Sequence, residues 1–234
     1  MQRDSDGKYE IVEPSSTSTY TYRLQPMTYG YGQSRAPAAR RPFFSLEELK
    51  HIGMAVAVLI VAFTIVIRSN YDTLAMAVLV AALSVVAGFF VHEMAHKVVA
   101  RRYGCWAEFR ADYTGLLMAL VISFLGFLFA APGAVYIRGH VTSEQNGKIS
   151  LAGPGSNLIV ALACAPLAMM SLSFVPGVVS DLAWGLYFFS TFLAMFNMLP
   201  LGPMDGRKIW AWNKPIYVAS MVACVTMFLL ALTI

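Results

Sequence analysis

Charged residues are scarce in this chain of 234 residues and make up only 13% of it. An average soluble domain carries about 25% charged residues, so the composition excludes an ordinary water-soluble globule. Cysteine is scarce as well, and the three cysteines, Cys105, Cys164 and Cys224, form no CxxC pair. The sequence therefore predicts neither a disulfide framework nor a thiolate metal site.

The beginning of the chain has no long apolar run. Its first ten residues, MQRDSDGKYE, are polar, so we expect no secretory signal peptide there. The sequence up to residue 45 is rich in Ser, Thr, Tyr, Arg, Pro and Gly, and such a segment cannot bury a core. We expect residues 1–45 to form a flexible polar tail and residues 46–234 to form a membrane-embedded domain.

Apolar residues dominate the rest of the chain. They make up 58% of the whole sequence, and the mean hydropathy is +0.61. Six apolar runs approach the length of about 20 residues that spans a bilayer core. These runs cover residues 51–67, 74–91, 116–134, 151–174, 182–201 and 216–234. The sequence predicts an all-α polytopic membrane protein, a bundle of about five to six transmembrane helices in contact with the lipid bilayer.

The basic residues indicate how the chain is oriented. Lys and Arg in short loops mark the cytoplasmic side, and this explains the net charge of +4 better than a nucleic-acid partner does. If the tail is cytoplasmic and residues 116–134 re-enter without crossing, 16 of the 17 basic residues are cytoplasmic. Pro132 and Gly133 permit such a re-entrant segment, and a plain crossing is the alternative. We expect a multi-pass protein of the cell membrane with a cytoplasmic N-terminus.

The stretch GAVYIRGHVTSEQNGKISLAG, residues 133–153, alternates apolar and polar residues. Its Asn-Gly pair, Asn146 and Gly147, is a strong hairpin turn signal. We predict a short β-hairpin around this pair, with His140 as a surface residue. His51, at the start of the first apolar run, is interpreted as an interfacial residue.

The pattern HEMAH at residues 92–96 places polar groups at the end of an apolar run. In a helix, His92 and His96 share a face and can hold one metal ion, while Glu93 points toward the same cavity. Two imidazoles suit Zn²⁺ and leave room for a third ligand and a water molecule. The carboxylate of Glu93 can then take a proton from that water.

Asp205 is the best candidate for the third ligand. The run at 182–201 is expected to end on the same side of the membrane as His92, and Pro200, Gly202 and Pro203 break the helix after it. A carboxylate at that depth completes a His₂Asp site. Glu108 and Asp112 are weaker alternatives, suggested only by their proximity in the sequence.

Three motifs resemble those of a known family. HEMAH at 92–96, GPGSN at 153–157 and NMLPLGPMDG at 197–206 resemble the HExxH, GxxxN/S/G and NxxPxxPLDG motifs of the site-2 protease family of intramembrane zinc metalloproteases. Two departures are Met204, where the family usually has Leu, and the apolar insertion at 116–134. The resemblance implies one Zn²⁺ per chain with His92, His96 and Asp205 as ligands and Glu93 as the catalytic base.

Asn157 and Asn197 have two interpretations at this stage. Their amides can donate hydrogen bonds to a substrate backbone or to the oxyanion of a tetrahedral intermediate. They can equally tie one helix to another or satisfy carbonyls freed by proline.

The resemblance implies regulated intramembrane proteolysis, in which the substrate is the transmembrane helix of another protein. Because a helix protects its peptide bonds, the substrate must unwind locally, and the predicted hairpin can hold it as an added strand. A metal transporter is the main alternative, since intramembrane His and Asp residues also line ion pathways. An inactive homologue that binds membrane helices is the second.

Overall fold

A computed structural model describes residues 42–129, 131–169 and 177–233, together with two strands of two residues each, β1 (Gln2–Arg3) and β2 (Tyr9–Glu10), which pair antiparallel. Contacts divide the chain into two units, Met1–Pro42 and Phe43–Ile234. The expected tail, residues 1–45, lies for the most part outside the described residues, so its flexibility stays a prediction.

Within the described residues, five helical segments are long and apolar enough to cross a membrane, which confirms the predicted bundle. The first is α1 (Leu46–Ile67), extended by a 3₁₀ turn at Arg68–Asn70. The second is one continuous helix made of α2 (Leu74–Val85), a π-helical turn (Val86–Phe90) and α3 (Val91–Arg102). The others are α5 (Ser143–Met169), α6 (Gly177–Asn197) and α8 (Lys214–Ala231).

The helix that carries the HEMAH pattern extends beyond the apolar run. That run ends at Val91, whereas α3 continues to Arg102 and includes the whole motif. The polar side chains are tolerated there because they have partners: His96 contacts the carbonyl of Ile149, and Lys97 pairs with Glu48.

The remaining elements are short. They are β3 (Trp106–Ala111), α4 (Tyr113–Ser123), β4 (Gly133–Arg138) and α7 (Asp205–Trp212). Strands β3 and β4 pair antiparallel, with a register that runs from Trp106↔Arg138 to Ala111↔Gly133. A short two-stranded antiparallel sheet is therefore present, as predicted.

The predicted turn of the hairpin is wrong, because Asn146 and Gly147 lie in the first turns of α5. A capping box starts this helix: the amide of Gln145 donates to Oγ1 of Thr142 at 3.1 Å, and the amide of Thr142 donates to Oε1 of Gln145 at 3.0 Å. The partner of β4 is instead β3, which precedes it in the chain.

The described residues between 116 and 134 do not form a spanning helix. Helix α4 has 11 residues, or about 16 Å at 1.5 Å per residue, which is too short for a bilayer core of about 30 Å. The segment leaves the sheet after Ala111 and returns at Gly133, and these two residues are register partners. The excursion therefore begins and ends at neighbouring positions, as the re-entrant interpretation requires.

The largest apolar core lies where α1, α2 and α6 meet. Phe63 of α1 is fully buried, and its ring lies 5.0 Å from that of Phe189 on α6. Phe89, in the π-helical turn, belongs to the same core. This packing fixes the helix immediately before His92.

Candidate metal centre

Three buried side chains from two distant parts of the chain converge at one point. His92 and His96 lie one turn apart on α3, and Asp205 is the first residue of α7. The two Nε2 atoms are 3.0 Å apart, and Oδ2 of Asp205 lies 3.0 Å from Nε2 of His96 and 3.5 Å from Nε2 of His92. Ligands of one tetrahedral zinc ion at about 2.0 Å lie roughly 3.3 Å apart. The cluster can therefore hold one metal ion.

The hydrogen bonds of His96 leave its inner nitrogen free for a metal. Nδ1 of His96 lies 2.7 Å from the backbone oxygen of Ile149, and because a carbonyl only accepts, Nδ1 carries the proton. Nε2 is then the nitrogen that faces the cluster, and it can bind a metal ion once it is deprotonated. His92 has no such partner for its buried Nδ1 among the described residues.

Asp205 is held as an anion. Burial alone would raise the pKa of its carboxyl group, but the two imidazoles and the ammonium group of Lys208 outweigh burial and hold that pKa below its ordinary value. Oδ2 faces the imidazoles, while Oδ1 lies 3.4 Å from Nζ of Lys208. A metal ligand must be deprotonated, and this environment meets that requirement.

Two glycines permit the close packing that builds the cluster. A Cβ atom on Gly153 of α5 would lie 2.3 Å from Nε2 of His96 and 2.6 Å from Nε2 of His92. A Cβ atom on Gly206 would lie 2.0 Å from the backbone oxygen of Met198, so only glycine lets α7 start this close to the end of α6. The first glycine of GPGSN and the last of NMLPLGPMDG thus have direct geometric roles.

A cavity of about 220 Å³ opens beside the cluster. Glu93 lines it together with the three candidate ligands, and its side chain is buried next to His92. Much of the remaining wall is apolar, and it includes Phe89, Phe129, Val135, Ile137 and Phe196. The cavity thus combines a confined polar centre with a largely apolar wall.

The two asparagines end up in different places. Asn197 lines the cavity, and one of its amide hydrogens is donated to the carbonyl of Leu193 at 3.0 Å. Asn157 is fully buried away from the cavity wall, and its amide has no hydrogen-bond partner among the described residues. The structure therefore brings Asn197, but not Asn157, to the cavity, and their suggested roles stay predictions.

The alternative third ligands have other partners. Glu108 accepts hydrogen bonds from Ser45 and Arg110. Burial would raise the pKa of the Glu108 carboxyl group, and these bonds together with nearby positive charge lower it overall. Asp112 caps α4, since its Oδ1 accepts from the amide of Gly115 at 2.7 Å. Neither carboxylate belongs to the metal cluster found among the described residues.

Sequence reasoning missed a buried ion pair close to the centre. Lys97, which directly follows His96, and Glu48 are both fully buried and pair with each other. A lysine inside an apolar helix is a signal that could have found the pair, because a charge at that depth requires a partner. Of the two other histidines, His140 is exposed, as expected for a surface residue. His51 accepts a hydrogen bond from the amide of Ala111, which the sequence did not predict.

Known proteins resemble this chain over most of its length. A protein of Methanocaldococcus jannaschii named "Putative zinc metalloprotease MJ0611" is 43% identical over 179 residues, which cover 74% of this chain and 90% of that protein. Rip3 of Mycobacterium tuberculosis, with the same designation, is 30% identical and covers 57% of this chain and 31% of its own length. YwhC of Bacillus subtilis, again so designated, is 30% identical and covers 54% and 65%.

No protein-family model matches the chain, and no solved structure gives a significant match. The family of this chain is therefore assigned from its relatives, and the alignment with MJ0611 covers nine tenths of that protein. The cofactor is zinc, because the relatives are named zinc metalloproteases and the buried cluster of donors suits this metal. The chain belongs to the site-2 protease family of zinc metalloproteases.

Proposed function

We propose that this chain is an intramembrane zinc endopeptidase that hydrolyses peptide bonds within or near the transmembrane helices of other membrane proteins. One observation carries the proposal: His92, Glu93 and His96 lie on a helix long and apolar enough to cross a membrane, and Asp205 completes a buried cluster with the two histidines. A hydrolytic centre in that position meets substrates inside the bilayer.

The side chains have separate roles in this proposal. His92, His96 and Asp205 hold the zinc ion, which when bound polarises the scissile carbonyl and lowers the pKa of water. Glu93 takes the proton of the attacking water and passes it to the leaving amine. Asn197 has a second amide hydrogen beyond the one donated to Leu193, and that hydrogen can stabilise the developing oxyanion.

The outer edge of β4, which pairs with no other strand among the described residues, is suited to hold an unwound substrate. On β3, the amides of Phe109 and Ala111 point away from β4, since they donate to side chains of α1. Outward and inward residues alternate in an antiparallel pair, so Val135 and Ile137, in register with Phe109 and Ala107, also point their backbone groups outward. Both line the cavity, where a substrate can add as a third strand.

We further propose that the domain at 46–234 sits in the cell membrane with a cytoplasmic N-terminus and acts in regulated proteolysis, on substrates that another protease has trimmed outside the membrane. The charge distribution supports this orientation, because the basic residues of the tail and of the loops, apart from Arg68, would then be cytoplasmic. The adjacent ends of the excursion at 116–134 are compatible with it.

Two substitutions separate the role of the base from the roles of the ligands. Glu93→Gln should keep zinc bound but lower cleavage of a model transmembrane substrate by about 10²–10⁴-fold, because only the proton acceptor is lost. Asp205→Asn should lower both zinc affinity and cleavage by about tenfold or more, because an amide donates less charge to the metal. Zinc content and cleavage are measured on the same purified samples, with and without a zinc chelator.

Asp112→Asn is the matched control for Asp205→Asn. Asn also caps a helix, so this change should leave α4, zinc content and cleavage unaltered. Cleavage at the wild-type rate in Glu93→Gln would exclude Glu93 as the base. Robust metal flux through liposomes in the absence of peptidase activity would favour a transporter instead.

A further inference from the structure

Glu48, in the first turn of α1, links the two walls of the cavity. The residue is fully buried, and each of its carboxylate oxygens has a different partner. Oε2 pairs with Nζ of Lys97 on α3, and Oε1 accepts a hydrogen bond from the amide of Phe109 on β3 at 3.0 Å. One side chain thus connects the helix of His92 and His96 to the sheet.

A second contact extends this connection along the same strand. His51 lies one turn after Glu48, and its Nδ1 accepts a hydrogen bond from the amide of Ala111 at 3.3 Å. The two acceptors are three residues apart on α1, and the two amides are two residues apart on β3, so both bonds form along one edge. We refer to Glu48, His51, Phe109 and Ala111 as the α1–β3 seam.

The seam reaches the cavity through the side chain of Phe109. This ring is fully buried and packs edge-on against Phe89 at 5.6 Å. It also lies directly under β4, since a Cβ atom on Gly133 would be 2.7 Å from Cζ of Phe109. Phe89 and Gly133 both line the cavity, so the ring of Phe109 packs behind two parts of the cavity wall.

The ion pair is not explained by stability alone. A buried pair loses its hydration, and apolar side chains of similar volume often serve the folded state as well or better. The hydrogen bond from Phe109 differs from the ion pair in this respect, because a buried amide without an acceptor lowers the stability of the folded state. An apolar replacement of Glu48 would therefore leave the amide of Phe109 without this acceptor.

We propose that Glu48 is a positioning residue that fixes the β3–β4 sheet, and with it the bound substrate strand, relative to the metal cluster. This inference rests on the proposed function. Loss of the acceptor for Phe109 lets the sheet shift, which weakens substrate binding and blurs the choice of scissile bond. We expect metal binding to be unaffected, because no hydrogen bond or ion pair found among the described residues joins His92, His96 or Asp205 to the seam.

Two double variants isolate the acceptor. The Gln variant combines Glu48→Gln with Lys97→Met, and the Met variant combines Glu48→Met with Lys97→Met. Both lack the ion pair and have side chains of similar length at residue 48, but only the Gln variant offers an oxygen to the amide of Phe109. The Gln variant should restore the wild-type KM and cleavage site. The Met variant should raise KM about fivefold, add a second cleavage position and speed deuterium exchange at the Phe109 amide, with zinc affinity unchanged.

A folded Met variant with the wild-type KM and cleavage site would overturn the inference. If that variant does not fold, His51→Phe removes the other acceptor and leaves the ion pair intact. It should raise KM by a smaller factor and speed exchange at Ala111, whereas His140→Phe, at an exposed position outside the seam, should do neither. Unchanged KM and exchange in His51→Phe would also contradict the seam.

The experiment separates this inference from the proposed function. If the wild-type protein cleaves no transmembrane substrate, the proposed function fails, whereas exchange at the Phe109 and Ala111 amides still reports on the seam. Exchange that is equally slow in the wild type and in both Met and Phe variants would refute the seam whatever the substrate.

Discussion

At the residue scale, the candidate metal centre depends on two glycines that supply no side-chain ligand to the metal. Gly153 offers only its backbone, yet it lies against both imidazoles, and Gly206 brings the carboxylate of Asp205 into range. The donors could be predicted from the sequence because His at i and i+4 share a helical face. The supporting glycines could not, since their roles depend on how closely α5 and α7 approach their neighbours.

Gly153→Ala is expected to damage the metal centre directly. The added methyl group would lie 2.3–2.6 Å from the two Nε2 atoms, so the imidazoles must move out of position. We expect zinc affinity to fall by about tenfold or more, in the range typical for residues that orient metal ligands. Zinc affinity can be measured by competition with a chromogenic chelator.

Gly155→Ala is the control for this prediction. A Cβ atom there meets nothing within 4 Å, and Ala is favoured over Gly inside a helix by about 0.5–1 kcal/mol. This variant should bind zinc normally and be at least as stable as the wild type. Normal zinc affinity in Gly153→Ala would show that the imidazoles have room to move.

At the scale of elements, the sheet has one edge covered by a helix and one edge without a strand partner in the part of the chain that the structure describes. Helix α1 occupies the outer edge of β3 through Glu48 and His51, which leaves β4 as the edge that faces the cavity. An exposed edge invites another strand, and here the occupant would be the substrate. The proposed binding mode can thus be tested on β4 alone.

Val135→Pro removes one outward-facing amide from β4. Proline is tolerated at an edge position whose N–H points away from the sheet, so the β3–β4 pairing and zinc binding should persist. We expect KM for a transmembrane substrate to rise several-fold, about the effect of one lost hydrogen bond. Steady-state cleavage assays with a fluorescent substrate measure this directly.

Val135→Ala is the companion variant, because it shortens the side chain and keeps the amide. Its KM should stay closer to the wild-type value than that of Val135→Pro. Equal KM values in the two variants would argue against strand addition at this position.

The same sheet marks the limit of sequence reasoning at this scale. The alternation around β4 predicted a strand correctly, but Asn146 and Gly147 suggested the wrong partner. Two local signals competed, and the capping box of Thr142 and Gln145 prevailed because it satisfies two orphan amides at the start of α5. The pairing of β3 with β4 joins residues separated by α4, and no local pattern encodes such a contact.

At the scale of the whole molecule, hydropathy and charge predicted most of the architecture. Among the described residues, five apolar helices pack against one another in a bundle, and the long helix Leu74–Arg102 carries the polar motif. The spans could be recognised from the sequence because a run of about 20 apolar residues is typical of a membrane-spanning helix. The end of α3 at Arg102 could not be predicted, since it depends on the tertiary partners of Lys97 and His96.

The orientation of the bundle is testable by cysteine labelling. In a background without Cys105, Cys164 and Cys224, single cysteines replace Tyr103 and Glu144, two exposed residues on either side of the excursion through α4. We expect both to be labelled from the cytoplasmic side, because the excursion starts and ends at neighbouring residues. A membrane-impermeant reagent applied to sealed and inverted vesicles distinguishes the sides.

A cysteine in place of Ser69, in the turn between the first two spans, provides the internal reference. It should be labelled from the opposite side to Tyr103 and Glu144. Labelling of Tyr103 and Glu144 from opposite sides would mean that residues 116–134 cross the membrane.

The π-helical turn at Val86–Phe90 rotates the side chains of α3 about the helix axis relative to those of α2. A turn of this kind accommodates one extra residue, and one residue corresponds to about 100° of rotation in an α-helix. The face that α2 turns toward the core therefore does not continue in phase into α3. The residues that α2 exposes to lipid therefore do not determine the direction in which His92 and His96 point on α3. The two halves differ in this way although they form one continuous helix.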